Sequence, residues 1–194
     1  MHDMIDQKIA FSEYVLLIDV DFLNGIVEPI RCPAASGGDE LPRLDWGRWL
    51  SFLALDAGIR PGSNELQVLL LYKAGVDRVA CCNPGLLDEL NGKACQTTLG
   101  EMQFACVPTA DMTSTDELFV NLLQLAYDAK EVRQLLLLPH PAYGERVVEA
   151  LTELFHDKPA LTRKVTYFAL YPNKVTLPCK VDTAFYSIAK AFGL

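Results

Sequence analysis

The 194-residue sequence lacks the cysteine spacing of common metal and redox sites. It has 6 cysteines, but none of them form a C-x-x-C pair, the spacing that zinc sites and many redox sites use. Most stand in apolar or strand-like surroundings, so we expect reduced thiols that pack as small apolar side chains. They are Cys32, Cys81, Cys82, Cys95, Cys106 and Cys179.

Positive charge is also scarce. The chain has 17 Lys and Arg residues against 25 Asp and Glu residues, a formal net charge of −8. A chain with this charge repels nucleic acid as a whole. Binding to RNA phosphates would need a local basic patch, and the sequence contains no strong one.

Long apolar runs are absent as well. No run approaches the length that crosses a bilayer, and the first residues contain no basic stretch followed by a hydrophobic segment. We therefore expect a cytoplasmic protein with no membrane contact. The composition, 51% hydrophobic and 22% charged, is typical of a globular chain, and the length predicts one domain over residues 1–194.

What the sequence does contain is a strand-length apolar run at residues 14–24, which includes the carboxylates Asp19 and Asp21. Such a run, rich in branched side chains, is typical of a strand buried on both faces of a parallel sheet. In open α/β sheets, ligands bind outside the carboxyl ends of the strands. The two acids are therefore predicted to lie at the usual binding edge.

Strand-like and helix-like segments alternate along the rest of the chain, which predicts an α/β three-layer sandwich with a mostly parallel central sheet. Residues 25–42, rich in Gly, Pro and Ser, are predicted to form a long loop. The segment 78–82 is either a hairpin partner of the preceding strand or a short edge strand. The other predicted strands are residues 65–72, 103–107, 134–138 and 164–171. The predicted helices are residues 44–57, 83–90, 113–126, 145–155 and 182–192.

Four side chains are candidates for chemistry at this edge. Asp19, Asp21 and Asp116, which lies at a helix start that either Ser114 or Thr115 can cap, are expected to converge there, and their oxygens suit Mg²⁺ or Mn²⁺. His140 stands between two prolines after the 134–138 strand, where a histidine can be acid, base or ligand. The alternative for each acid is a cap of a loop or helix, and for His140 a hydrogen-bonded loop residue.

The order of elements resembles the NYN branch of the PIN-like nuclease superfamily over about residues 14–192. In that family the first strand ends in an Asp, followed two positions later by a polar or acidic residue and then by Asn; Asp19, Asp21 and the displaced Asn24 are similar. A second acid opens a helix, as Asp116 does here. The resemblance implies a Rossmann-like fold and a metal-dependent ribonuclease site built from Asp19, Asp21 and Asp116.

One motif departs from the family pattern. A later strand normally ends Ser-Gly-Asp-Ser-Asp-Phe, and the two Asp residues help to bind the catalytic metal. His140 and Ala142 stand at their apparent positions here, and Glu145 is a candidate replacement one helical step further on. Three acids at best would bind Mg²⁺ or Mn²⁺ weakly, and neutral histidine prefers transition metals.

Three interpretations follow from these residues. The favoured one is a degenerate PIN/NYN-like domain that acts as a non-catalytic binding or interaction module, with RNA, a protein partner or a second copy as its partner. Trp46 and Trp49 are expected to pack in the core, but under this interpretation they and the glycine-rich loop are candidates for a partner surface. The second is a metal-dependent ribonuclease. The third, suggested by Asp19-Val-Asp21, resembles the haloacid-dehalogenase-like phosphatases, in which the first Asp attacks phosphorus and the second is the general acid.

Overall fold

The computed structural model describes residues 10–30, 42–110, 113–171 and 176–193. Within these residues a 7-stranded sheet has the order β5-β6-β3-β1-β7-β8-β9. Every neighbouring pair in it is parallel except β5 and β6. The strands are β1 (Tyr14–Asp19), β2 (Leu44–Asp45), β3 (Asn64–Tyr72), β4 (Cys82–Asn83), β5 (Ala94–Thr97), β6 (Gly100–Pro108), β7 (Gln134–Leu138), β8 (Val165–Ala169) and β9 (Lys180–Thr183).

Helices connect these strands. A π-helical stretch, Leu23–Val27, lies between the two shortest helices, and 3-10 helices cover Pro141–Tyr143 and Pro159–Lys164. The α-helices are α1 (Val20–Phe22), α2 (Glu28–Ile30), α3 (Trp46–Asp56), α4 (Leu87–Leu90), α5 (Thr115–Asp128), α6 (Gly144–Asp157) and α7 (Ala184–Phe192).

Strand β1 lies in the middle of the sheet, as the apolar run predicts. It is parallel to β3 on one side and to β7 on the other, with Leu17 in register with Leu69 and Leu137. All residues of β1 after Tyr14 are buried. A strand covered on both faces has no solvent side, so its sequence does not alternate between apolar and polar residues.

Helices cover both faces of the sheet, which confirms the layered α/β architecture. Leu16 and Ile18 point to one face and belong to a core that includes α3 and α7. Val15 and Leu17 point to the other face and belong to a second core, with α5 and α6. Burial of each such side chain contributes about 1.5–3 kcal/mol, and β1 contributes side chains to both cores.

The tryptophans lie inside the molecule and form no part of a partner surface. Trp46 is 2% exposed and Trp49 is fully buried, their rings are 6.0 Å apart, and Trp46 Nε1 donates to the Pro84 carbonyl at 2.9 Å. The helical spacing that predicted α3 points both rings at the sheet. The suggestion that they form a partner surface is therefore wrong, and the expectation of core packing is confirmed.

Several predicted boundaries change. The start of the predicted 25–42 loop is helical up to Ile30, and the glycine-rich part, residues 31–41, lies outside the described residues. The segment after β3 forms no hairpin with it; Cys82–Asn83 instead pairs in parallel with β2. Strands β5 and β9 were not predicted, because both are short edge strands whose polar residues give no clear periodicity.

The thiols have the predicted character where they are described. Within the described ranges, Cys81, Cys82, Cys95, Cys106 and Cys179 form no disulfide, and burial raises the pKa of both Cys106 and Cys179 to about 11. Such thiols are poor nucleophiles at neutral pH. Cys32 lies outside the described residues.

Within the described ranges, no helix has the length and apolarity that a bilayer crossing requires.

Candidate functional site

The carboxyl ends of β1 and β7 meet at the point where the direction of chain winding reverses. From β1 the chain continues to β3 and β6 on one side, and it then returns to place β7 on the other side of β1. In open α/β sheets, ligands bind at such a point, outside the carboxyl ends of the strands. We call this edge the rim: it carries Asp19 at the end of β1 and His140 just after β7.

Asp19 is the buried acid of the rim. Its side chain is 0% exposed, and one carboxylate oxygen, Oδ1, accepts the Phe22 N–H at 3.0 Å, which caps α1. The other oxygen, Oδ2, accepts the Tyr143 hydroxyl. Burial raises the pKa of Asp19, and the negative charge of Asp21 adds to the effect, although the hydrogen bonds from Tyr143 and Phe22 oppose it.

Tyr143, which is half-buried, is the partner of Asp19, although the sequence suggested only that it packs at the start of a helix. Its ring lies 5.9 Å from the ring of Phe119 on α5. Burial and the neighbouring Asp19 carboxylate raise the pKa of its hydroxyl above the usual tyrosine value. A phenol with a raised pKa remains a hydrogen-bond donor at neutral pH. No local motif indicated this contact, because the two residues are 124 positions apart.

Asp116 is close to the same rim but is paired elsewhere. Its carboxylate forms an ion pair with Arg146 of α6. A hydrogen bond with the Ser114 side chain and the contact with Arg146 lower the pKa of Asp116, although partial burial opposes them. The Asp116 charge also raises the pKa of Tyr143. The predicted helix start is confirmed, since Glu117 Oε2 accepts the Ser114 N–H at 3.2 Å in a capping box.

His140 and Asp21 have local positions. His140 Nδ1 accepts the Ala142 N–H at 3.1 Å and caps the 3-10 turn, which is the hydrogen-bonded loop role that the sequence left open. The imidazole is stacked loosely on Tyr143, with ring centroids 6.3 Å apart. Asp21 is half-buried in the first turn of α1.

Asn24 does not take part in the rim chemistry that the family resemblance implies. Its Nδ2 donates to the Arg78 carbonyl at 2.9 Å, and its Oδ1 accepts the Ala80 N–H at 3.2 Å. Both groups of the amide therefore hold the 78–80 backbone against the helical segment after β1.

The donors available for a divalent ion do not form a cluster. Among the described residues, no three His, Cys, Asp or Glu side chains are close enough together to hold a metal ion, and this includes Asp19, Asp21 and Asp116. Both Asp19 oxygens accept hydrogen bonds from the protein, and Asp116 is paired with Arg146. The chemistry of this donor set therefore does not fit a carboxylate cage for Mg²⁺ or Mn²⁺.

An open cleft lies beside the rim, between the start of α6 and the end of β8. Its volume is about 840 Å³, and we call it the β8 cleft. Glu145, the candidate replacement for a family acid, lines this cleft; it is exposed. The apolar part of the wall consists mainly of Ile26, Pro139, Pro141, Val148, Phe168 and Leu170.

Fold and rim together define an α/β protein with a mostly parallel sheet, a buried Asp–Tyr pair at the winding reversal and an open cleft beside it. The chain belongs to a family of unknown function, DUF6621, whose model matches residues 8–194. No curated protein and no solved structure matched the chain. The relationship to the PIN-like superfamily stays a prediction.

Proposed function

We propose that this protein is a non-catalytic binding module, with the degenerate acidic site of a PIN/NYN-like domain. The observation that carries the proposal is the state of Asp19. This residue is 0% exposed, and its two oxygens accept hydrogen bonds from Phe22 and Tyr143. The acid that would be the centre of a hydrolase site is thus part of the internal structure.

Metal-dependent hydrolysis makes demands that this arrangement opposes. A catalytic Mg²⁺ or Mn²⁺ keeps waters and a substrate phosphate in its shell, so its carboxylate ligands must face an open space. Asp19 faces the Tyr143 hydroxyl and the first turn of α1. The same burial opposes the phosphatase interpretation, because a nucleophilic Asp must reach the phosphorus atom.

The binding role needs none of these acids. The β8 cleft opens at the carboxyl edge of the sheet, where ligands of α/β proteins bind, and its volume of about 840 Å³ falls within the range of small-molecule sites. A ligand there would contact α6 and β8 and leave the Asp19–Tyr143 pair undisturbed.

One observation favours the ribonuclease as a second candidate. The Asp116 carboxylate is close enough to Tyr143 to raise the pKa of its hydroxyl, so Asp19 and Asp116 approach the same ring from different elements. Rotation of Tyr143 and release of Arg146 would expose both acids. A buried carboxyl with a raised pKa, as at Asp19, is also found at functional sites.

Thermal melts with and without 10 mM Mg²⁺ or Mn²⁺ test the proposal. We expect the same melting temperature with and without metal for the wild type, for Asp19→Asn and for the control Asp128→Asn, whose carboxylate pairs with Lys158 at the surface. A metal bound with a Kd of about 0.1 mM would stabilise the folded state by about 2.7 kcal/mol at this concentration. A shift in the wild type and the control that is lost in Asp19→Asn would overturn the proposal in favour of the metal-dependent hydrolase.

A further inference from the structure

We propose that the β8 cleft binds a small organic cation with an apolar body, such as an arylalkylamine. This inference rests on the proposed function in that it names the ligand class of a binding module. Three features of the cleft support it: apolar walls, the Tyr167 hydroxyl beside Gly144, and the sign of the charges at the mouth.

The apolar walls come from three separate elements. Ile26 follows β1, Pro139 and Pro141 lie on either side of His140, and Phe168 is 2% exposed at the end of β8. A volume of about 840 Å³ exceeds that of a few water molecules and is suited to a ligand of drug-like size. Such walls favour a ligand with a hydrocarbon body, because binding removes apolar surface of both the ligand and the cleft from water.

Tyr167 supplies the polar group inside the cleft. The residue is only 5% exposed and lines the cleft, and its hydroxyl forms no hydrogen bond with any residue of the described ranges. A Cβ on Gly144 would lie 3.2 Å from that oxygen, so the absence of a side chain at Gly144 leaves the hydroxyl facing the cleft. Among the described residues, the buried side-chain polar atom without a partner is Trp49 Nε1. The Tyr167 oxygen is instead open to the cleft, where a polar atom of a ligand would take the place of solvent.

The charges at the mouth are negative. Glu145 and Glu149 line the cleft from successive turns of α6 and are both exposed. No Lys, Arg or His lines the cleft among the described residues. Arg146 on the same helix pairs with Asp116. The helix N-terminus contributes about half a positive charge, which two carboxylates exceed, so the local field favours a cation.

A second cleft of the molecule differs from the β8 cleft in having basic side chains in its wall. It has a volume of about 340 Å³ and is lined by Arg43, Arg78 and Glu89, and Arg78 also pairs with Asp77 at 3.4 Å. The two arginines are the cationic groups that an acid with an apolar body would meet there, whereas an amine would be directed to the β8 cleft. Two probes that differ only in the charged group therefore separate the two sites.

The probes are 4-phenylbutylamine and 4-phenylbutyrate, titrated into the full chain at pH 7 and followed by the amide shifts of an isotope-labelled sample. We expect the amine to shift signals of residues 144–149 and 167–170 and to bind there at least about tenfold more tightly than the acid. Equal affinities of the two probes for this cleft would overturn the inference, as would amine-induced shifts confined to other regions.

Variants identify the groups responsible. The double variant Glu145→Gln/Glu149→Gln is expected to remove the preference for the amine, and Tyr167→Phe to weaken amine binding by about three- to tenfold. Glu153→Gln, an exposed residue of the same helix outside the cleft, is the matched control and should bind the amine as the wild type does. An unchanged preference in the double variant would contradict the charge argument.

The two proposals fail in distinguishable ways. A metal-dependent melting shift that requires Asp19, together with amine binding in the β8 cleft, would overturn the non-catalytic function and leave the inference intact. Absence of both the metal shift and amine binding would overturn the inference alone.

Discussion

Two tyrosines next to the start of α6, Tyr143 and Tyr167, differ in whether the hydroxyl has a hydrogen-bond partner in the protein. Burial raises the pKa of both Tyr143 and Tyr167. The Tyr143 hydroxyl donates to the buried carboxylate of Asp19, whereas the Tyr167 hydroxyl faces a cleft and has no partner among the described residues. Burial alone therefore does not identify a ligand-binding group. The presence or absence of a protein partner makes the difference.

The largest loss of stability is expected when the Tyr143 side chain is truncated, because both its hydrogen bond to Asp19 and its ring packing are lost. Tyr143→Ala deletes the ring beside Phe119 and leaves the Asp19 carboxyl without its side-chain donor. We expect a loss of about 3 kcal/mol in the free energy of unfolding, near the lower end for aromatic truncations because Tyr143 is half-buried. Urea denaturation measures it. A loss below about 1 kcal/mol would mean that the pair contributes little to the fold.

The hydroxyl alone is expected to account for part of this loss. Tyr143→Phe keeps the ring and removes the donor, which leaves Asp19 Oδ2 buried without its partner. We expect destabilisation of about 1–3 kcal/mol, the usual cost of an unsatisfied buried group. The same urea titration provides the measurement, and a Phe variant as stable as the wild type would show that the Asp19 carboxyl finds another partner.

The pH dependence of stability tests the state of Asp19. Because the pKa of Asp19 is raised in the folded protein, the folded state binds this proton more tightly than the unfolded chain. The Asp19 contribution to stability therefore falls as pH rises from the unfolded pKa, near 3.8, through the raised folded value. Asparagine can accept the Phe22 N–H and donate to the Tyr143 oxygen without ionising.

Asp19→Asn should consequently remove that loss of stability. The free energy of unfolding of the variant relative to the wild type is expected to increase from acidic pH to pH 8, as measured by urea titrations at several pH values. The matched control is Asp128→Asn, which changes an exposed carboxylate on α5. A relative stability of Asp19→Asn that decreases with rising pH would show that the ionised carboxylate is stabilised by the fold.

The smallest effect is expected at the second tyrosine. Tyr167→Phe removes a hydroxyl that forms no hydrogen bond within the described structure, so the free energy of unfolding should change by no more than about 0.5 kcal/mol. The difference between this variant and Tyr143→Phe measures the contrast between the two sites directly. A loss above 1 kcal/mol at Tyr167 would mean that its hydroxyl has a structural partner, and the cleft would lose its polar anchor.

Much of the fold could be predicted from the sequence, because each of these strands and helices is indicated by residues close together along the chain. The uninterrupted apolar residues of β1 and β7 predicted buried parallel strands. A cap at Ser114 or Thr115, followed by two acids, predicted the start of α5, and the structure selects Ser114. The edge strands β5 and β9 were missed, since strands of four residues with mixed polarity give no periodic signal. Trp46 and Trp49 were correctly expected to pack, because helical spacing directs both to one side of α3.

The candidate site was less predictable. The sequence placed Asp19 at the carboxyl end of β1 and His140 after β7, and the structure brings both to the rim. It gave no sign that Tyr143 donates to Asp19 or that Asp116 pairs with Arg146. The use of Asp19, Asp21 and Asp116 as metal ligands and of His140 in catalysis remains a prediction that the melts address.

The sequence by itself determined which segments form the layers, because strand and helix periodicity depend on neighbours a few residues away. Only the tertiary structure decided which side chains became partners. Tyr143 contacts Asp19 across 124 positions, and Gly144 leaves room beside the Tyr167 hydroxyl, since a Cβ at Gly144 would lie 3.2 Å from that oxygen. Whether a polar group is satisfied or free depends on atoms that the fold brings within about 3 Å.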